Sequence, residues 1–156
     1  MQSVKEFPVF GEKIEVLVSS EMGHGLLTVI QQTCLPMAGP PPHLHEREDE
    51  FFTVIEGEFE ILEETTWHRV SPGESVYSPR GTVHSFRYIG EGLGKIVVAV
   101  SPAGLDQYLE QLSPLALPQD EKAIVALSDR QGIKLAPGIA LTEWFELLEQ
   151  KMGIPA

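Results

Sequence analysis

The segment "PPHLHEREDEFFTVIEG", Pro41 to Gly57, sets two of the chain's five histidines one residue apart and follows them with a dense run of charge. Alternate side chains of an extended strand share a face, so His43 and His45 point the same way. Taken alone, the segment also suits a polar loop with both histidines in solvent. Its continuation argues otherwise. The run "EREDE" suits a turn that resets the register, so that Glu50 opens a new strand with Phe52 and Val54 on its own face. Glu56-Gly57 supplies a tight hairpin, and Phe59 and Ile61 continue the inward face on the return strand. His43, His45 and Glu50 are then expected to converge in one cavity. Imidazole with carboxylate is a ligand set for a divalent transition metal.

A second segment, "GESVYSPRGTVHSFRYIG" from Gly73, repeats the theme. Pro79 and Gly81 make a turn, and His84 follows on a new strand with Phe86 and Tyr88. Together the two segments resemble the paired motifs of the cupin superfamily. The first runs His43-Leu44-His45, four residues, Glu50, six residues, Gly57. The second runs Gly73, five residues, Pro79, Gly81, two residues, His84, and fifteen residues separate the two. Two positions depart from the pattern: Met37 stands where a glycine is expected six residues before His43, and Tyr88 where an asparagine often follows the last histidine. The resemblance is to small single-domain members of the quercetin dioxygenase-like kind, and it covers about Leu35 to Ser101. It implies a jelly-roll β-barrel holding a metal on His43, His45, Glu50 and His84.

The surrounding chain fits that expectation. Between about Lys13 and Ser101, short runs rich in Val, Ile, Thr and aromatics alternate with Gly and Pro, the pattern of an antiparallel sandwich or barrel. After Pro102 the texture becomes helical. Leu105, Tyr108, Leu109 and Leu112 form one stripe, "QDEKAIVALSDRQG" reads as a second helix, and "LTEWFELLEQKMG" as a third with Thr142 as N-cap and Gly153 as stop. The expected organisation is a mainly β barrel domain over residues 1–102 and a helical C-terminal extension over 103–156 that packs on it. Phe145 and Leu148 are expected to face inward.

Composition narrows the partners. With 23 acidic against 11 basic residues the net charge is −12, which repels phosphate backbones and anionic membrane surfaces. Neither nucleic acid nor membrane is expected as a partner. The N-terminal stretch has no apolar core of a secretory signal, and the single cysteine, Cys34, reads as a small packing residue in a reducing cytoplasm. Glu46, Glu48 and Asp49 read as a solvated turn, Arg47 and Arg80 as solvated or ion-paired, and Trp67 and Trp144 as packing residues. His24 and His68 read as surface histidines.

A three-histidine, one-glutamate site around a divalent ion (Fe, Mn, Ni, Zn or Cu) carries a net charge near +1 and attracts an enolate, catecholate or carboxylate oxygen. The expected lining of Phe52, Val54, Phe59, Ile61, Phe86 and Tyr88 is apolar and suits a flat ligand. The resemblance then points to a metal-dependent, quercetinase-like dioxygenase, with Glu50 as ligand or proton acceptor. A non-catalytic small-molecule sensor shares the same ligands. A metal-dependent sugar isomerase ranks lower, because no Lys or Arg lies on the inward faces. A homodimer is expected, through the edge offered by the N-terminal strands.

Overall fold

In the computed structural model, which describes residues 4–153, two antiparallel sheets face each other and three helices follow. The strands are β1 (Lys5–Val9), β2 (Glu12–Val18), β3 (Thr28–Cys34), β4 (His43–His45), β5 (Asp49–Glu56) and β6 (Phe59–Glu63). They continue with β7 (Thr66–Val70), β8 (Ser75–Ser78), β9 (His84–Tyr88), β10 (Gly94–Ser101) and, beyond two helices, β11 (Ile133–Leu135). The helices are α1 (Leu105–Leu112), α2 (Glu121–Gln131) and α3 (Leu141–Met152). One sheet has the order β1-β2-β3-β10-β5-β8 and the other β11-β4-β9-β6-β7.

The chain changes sheets at each corner, and this corrects one expectation. Glu56-Gly57 does not close a hairpin, because β5 pairs with β10 and β8 while β6 pairs with β7 and β9. The turn carries the chain from one sheet to the other. Alternation survives it, so Phe52 and Val54 face Phe59 and Ile61 across the interior, each at most 1% exposed. Gly57 has φ +80°, and a Cβ there would stand 2.5 Å from the Tyr88 ring, so the corner needs glycine on two counts.

Strand structure begins earlier than composition suggests. Lys5–Val9 forms an edge strand despite Pro8, which an edge tolerates. The edge is not left bare: α1 lies beside it, with Lys5 paired to Glu110 and the Ser113 hydroxyl donating to the Pro8 carbonyl.

The helices form where the stripes place them. Leu105, Tyr108 and Leu112 are buried on α1, and α2 and α3 each end on a left-handed glycine, Gly132 and Gly153. Thr142 is not the cap of α3; Ala140 takes that place in extended backbone, and the Thr142 N–H donates instead to Glu121 Oε1 at 3.0 Å. The extension is not purely helical either. Its three-residue strand β11 pairs with β4, Ile133 beside His45 and Leu135 beside His43.

Candidate metal centre

Each prospective ligand is placed by a strand. His43 and His45 are alternate residues of β4, both buried, with Leu44 between them on the outer face. His84 opens β9 directly beside His43. Glu50 sits one residue into β5, paired with Ser78 on β8 and Val100 on β10. Ligand atoms of His43, His45, Glu50 and His84 all lie within 4.8 Å of one another. The imidazole centroids are 4.5 to 5.3 Å apart.

Hydrogen bonds at the back of two rings decide which nitrogen faces the centre. The Nδ1–H of His43 donates to the Pro41 carbonyl at 2.7 Å, and that of His84 to the Thr82 carbonyl at 3.1 Å, with the Ser78 hydroxyl also 3.1 Å away. Both rings thereby turn Nε2 inward, as metal-ligating histidines do. His45 Nε2 lies 3.1 Å from Glu50 Oε2, and His84 Nε2 faces the same oxygen closely. Even so, Glu50 Oε2 and His84 Nε2 find no hydrogen-bond partner of acceptable geometry. Three inward nitrogens and a carboxylate oxygen, buried and left incomplete by the protein, fit a divalent cation.

The electrostatics of His43 and Glu50 agree with that donor set. Burial, then the neighbouring His84 and His45, hold the His43 imidazole down to about 3, so it is a neutral electron-pair donor at any physiological pH. Burial opposes ionisation of Glu50, but His45 and His84 outweigh it and the carboxyl falls to about 2. For His45, burial pulls downward while Glu50 and then Glu48 pull upward, and the net shift is upward.

The cluster opens onto a cavity of about 450 Å³. Phe52 and Phe86 line it. Val54, Phe59, Ile61 and Tyr88 do not; they face inward at the narrow end, where they fill the space with one another and leave no room for a ligand. In their place the extension supplies wall: Leu105, Tyr108, Leu109 and Leu112 of α1, and Phe145 and Leu148 of α3. Phe145 meets Phe10, from the β1–β2 turn, with ring centroids 5.2 Å apart. No Lys or Arg lines the cavity among the described residues.

Two carboxylates, one buried and one half-buried, escaped sequence reasoning. Glu48 is not solvated: it is 4% exposed, 3.8 Å from His45 Nδ1, and accepts a hydrogen bond from Gln131. Nothing in its charged neighbourhood signals this, because the burying surface comes from α2. Glu12 lines the cavity and accepts the Leu35 N–H, and burial lifts its carboxyl to about 7. A signal for it exists, since Glu12 shares the face of Ile14 and Val16. The other assignments are plain. Asp49 pairs with Arg80, Arg47 donates to the Arg130 carbonyl, and His24 and His68 are exposed. Trp67 carries Arg87 over its ring at 4.0 Å and, with Trp144, borders a shallow second cleft. Cys34 is fully buried, which pushes its thiol far up.

Comparison with known families matches residues 31–100 to the cupin domain, the span that carries both motifs. Over that span the chain resembles small proteins of the cupin superfamily. The two departures from the cupin pattern have structural answers. Met37, at the missing glycine, keeps a left-handed backbone with φ +65°, and Tyr88 is housed by three glycines, Gly57, Gly90 and Gly94. Solved structures share the cupin fold. KdgF from a Halomonas species is 24% identical, over 68% of this chain and 91% of its own, with a TM-score of 0.58. A predicted oxalate decarboxylase from Thermotoga maritima is 18% identical, over 64% and 92%, with 0.56. A sugar phosphate isomerase from Silicibacter pomeroyi is 21% identical, over 64% and 69%, with 0.53. No curated protein matches the chain, and no helix among the described residues is long and apolar enough to cross a membrane.

Proposed function

We propose that this cupin is a metal-dependent, dioxygenase-like oxidoreductase acting on a small aromatic or enol(ate) substrate. One observation carries the reading: a buried His/His/Glu/His cluster faces a mainly apolar cavity of about 450 Å³ whose wall, among the described residues, holds no Lys or Arg. A phosphorylated sugar would need a cation in that wall, so the isomerase reading loses its recognition element. His43, His45, Glu50 and His84 are the residues that would hold the ion. A bound divalent ion supplies a Lewis-acidic, redox-capable position for a substrate oxygen and dioxygen.

The protein's own residues do the rest. Phe52 and Phe86 offer a flat apolar seat beside the cluster. Glu50, ionised at neutral pH, either stays a ligand or accepts the hydroxyl proton of the enol or phenol. Leu109, Leu112 and Phe145 exclude bulk water from the seat. The proposal includes a cytoplasmic homodimer. The N-terminal edge is taken by α1, so the contact is assigned to the outer face of the larger sheet, where cross-strand neighbours Phe51 and Tyr77 are 43% and 57% exposed. A 17 kDa species in light scattering at micromolar concentration would remove the dimer.

The test is metal analysis of protein purified without chelating resin, then oxygen uptake with flavonols, β-diketones and catechols. Consumption of oxygen by one class supports the enzyme. Tight binding of a class with no oxygen uptake replaces it with the sensor reading, since catalytic and binding cupins share one ligand set.

A further inference from the structure

We propose that Glu48 is a positioning residue for the metal centre, accepting the Nδ1–H of His45, and that Gln131 holds it there so that the C-terminal extension tunes metal affinity. The inference rests on the metal reading of the cluster and goes beyond it, because Glu48 lies outside the four ligands.

Three histidines present Nε2 to one point, and two of them have a visible partner behind Nδ1, the carbonyls of Pro41 and Thr82. Behind the third, among the described residues, stands Glu48. Its Oε1 is 3.8 Å from His45 Nδ1, about 1 Å beyond hydrogen-bond length. Among the described residues, His45 Nδ1 and the second oxygen of the same carboxylate, Glu48 Oε2, are buried atoms with no hydrogen-bond partner, while Oε1 is held by Gln131. Among the described residues, His45 is also the one ion-pair partner of Glu48. A buried carboxylate with no Lys or Arg beside it is poor scaffolding. As the acceptor behind a ligating imidazole it has a purpose, since such acceptors fix the tautomer and raise ligand basicity.

The extension supplies the brace. Gln131, the last residue of α2, donates to Glu48 Oε1 at 3.1 Å. The next residue, Gly132, accepts the Glu46 N–H at 2.8 Å, and the Arg130 carbonyl accepts from Arg47. The three residues following His45 are thus each held by the α2–β11 junction.

Cobalt(II) titration of the metal-free protein, read by visible absorption and chelator competition, tests this. Glu48→Ala should weaken binding about 10- to 100-fold and change the spectrum. Glu48→Gln, whose amide oxygen still accepts the Nδ1–H, should recover most of the loss, and Gln131→Ala should weaken binding less than Glu48→Ala. Wild-type affinity and spectrum in Glu48→Ala would overturn the inference and leave the metal reading standing. So would equal losses in Glu48→Ala and Glu48→Gln that track a fall in the melting temperature of the metal-free protein. If Glu48→Ala does not fold, unchanged affinity in both Glu48→Gln and Gln131→Ala overturns it. A wild-type protein that takes up no cobalt overturns the metal reading itself, and this proposal with it.

Discussion

At the narrow end of the barrel Phe59 packs against Tyr88 and Phe86, with ring centroids 5.2 and 6.2 Å away; at the other end His43, His45, Glu50 and His84 occupy equivalent inward positions and border a cavity. One strand joins the two. His84, Phe86 and Tyr88 are successive inward residues of β9, and over about 14 Å they pass from ligand to cavity wall to packed core. Alternation along a strand therefore settles which residues point in. Whether an inward residue becomes core or cavity depends on what stands opposite. At the narrow end three glycines clear space for Tyr88, while at the wide end residues of the helices line the cavity.

The sharpest way to separate the two ends is Phe59→Ala. It should cost about 3–5 kcal/mol in urea denaturation, because a fully buried ring leaves a cavity that cannot collapse, while metal content per folded chain stays at the wild-type level. Parallel loss of metal would mean that the ends are one unit. Gly57→Ala should cost less, about 1–3 kcal/mol, from the left-handed backbone and the collision with Tyr88. His84→Ala reverses the pattern. Metal affinity should fall at least tenfold, equivalent to about 1.4 kcal/mol of binding, with a smaller change in metal-free stability than Phe59→Ala shows. The exposed His68→Ala should change neither quantity.

The smallest effect is a pH dependence. Glu12 has its carboxyl raised from 4.5 to about 7 by burial, against the Leu35 hydrogen bond. Between those values the folded protein keeps a proton that the unfolded chain has released. Its contribution is therefore full below pH 4.5 and is lost as pH rises through about 7. Glu12 is only half-buried, so screening reduces the contribution to about 1 kcal/mol. Melting curves from pH 4.5 to 8 should show Glu12→Gln gaining on the wild type as pH rises; parallel curves would assign the group an ordinary titration.

Much of the wide end is legible in the sequence because it is written locally. His43 and His45 are two residues apart on one strand, and the spacings to Glu50, Gly57 and His84 are those of the cupin motifs. The stripe of α1 is equally plain, since Leu105, Tyr108 and Leu112 obey a helical period. What stays hidden depends on partners distant in the chain. Glu48 is buried by Gln131, and β11 is a strand because β4 lies beside it; "IKL" alone has no strand length to show. Val54, Phe59, Ile61 and Tyr88 become core rather than cavity lining for the same reason. Their inward direction is local, but the residues that pack against them come from distant parts of the chain.

The pairing of β4 with β11 has a consequence for the order of events during synthesis. β4 is three residues long, and its neighbours arrive late: β9 begins roughly forty residues after it ends, and β11 almost ninety. A chain leaving the ribosome at about 5–20 residues per second presents the HxH strand, with β9 docked, as an open sheet edge for several seconds. The strand bearing two of the three histidines is bordered on both sides only once residue 135 has emerged. In each new molecule, the His/Glu cluster is among the last parts of the barrel to be enclosed.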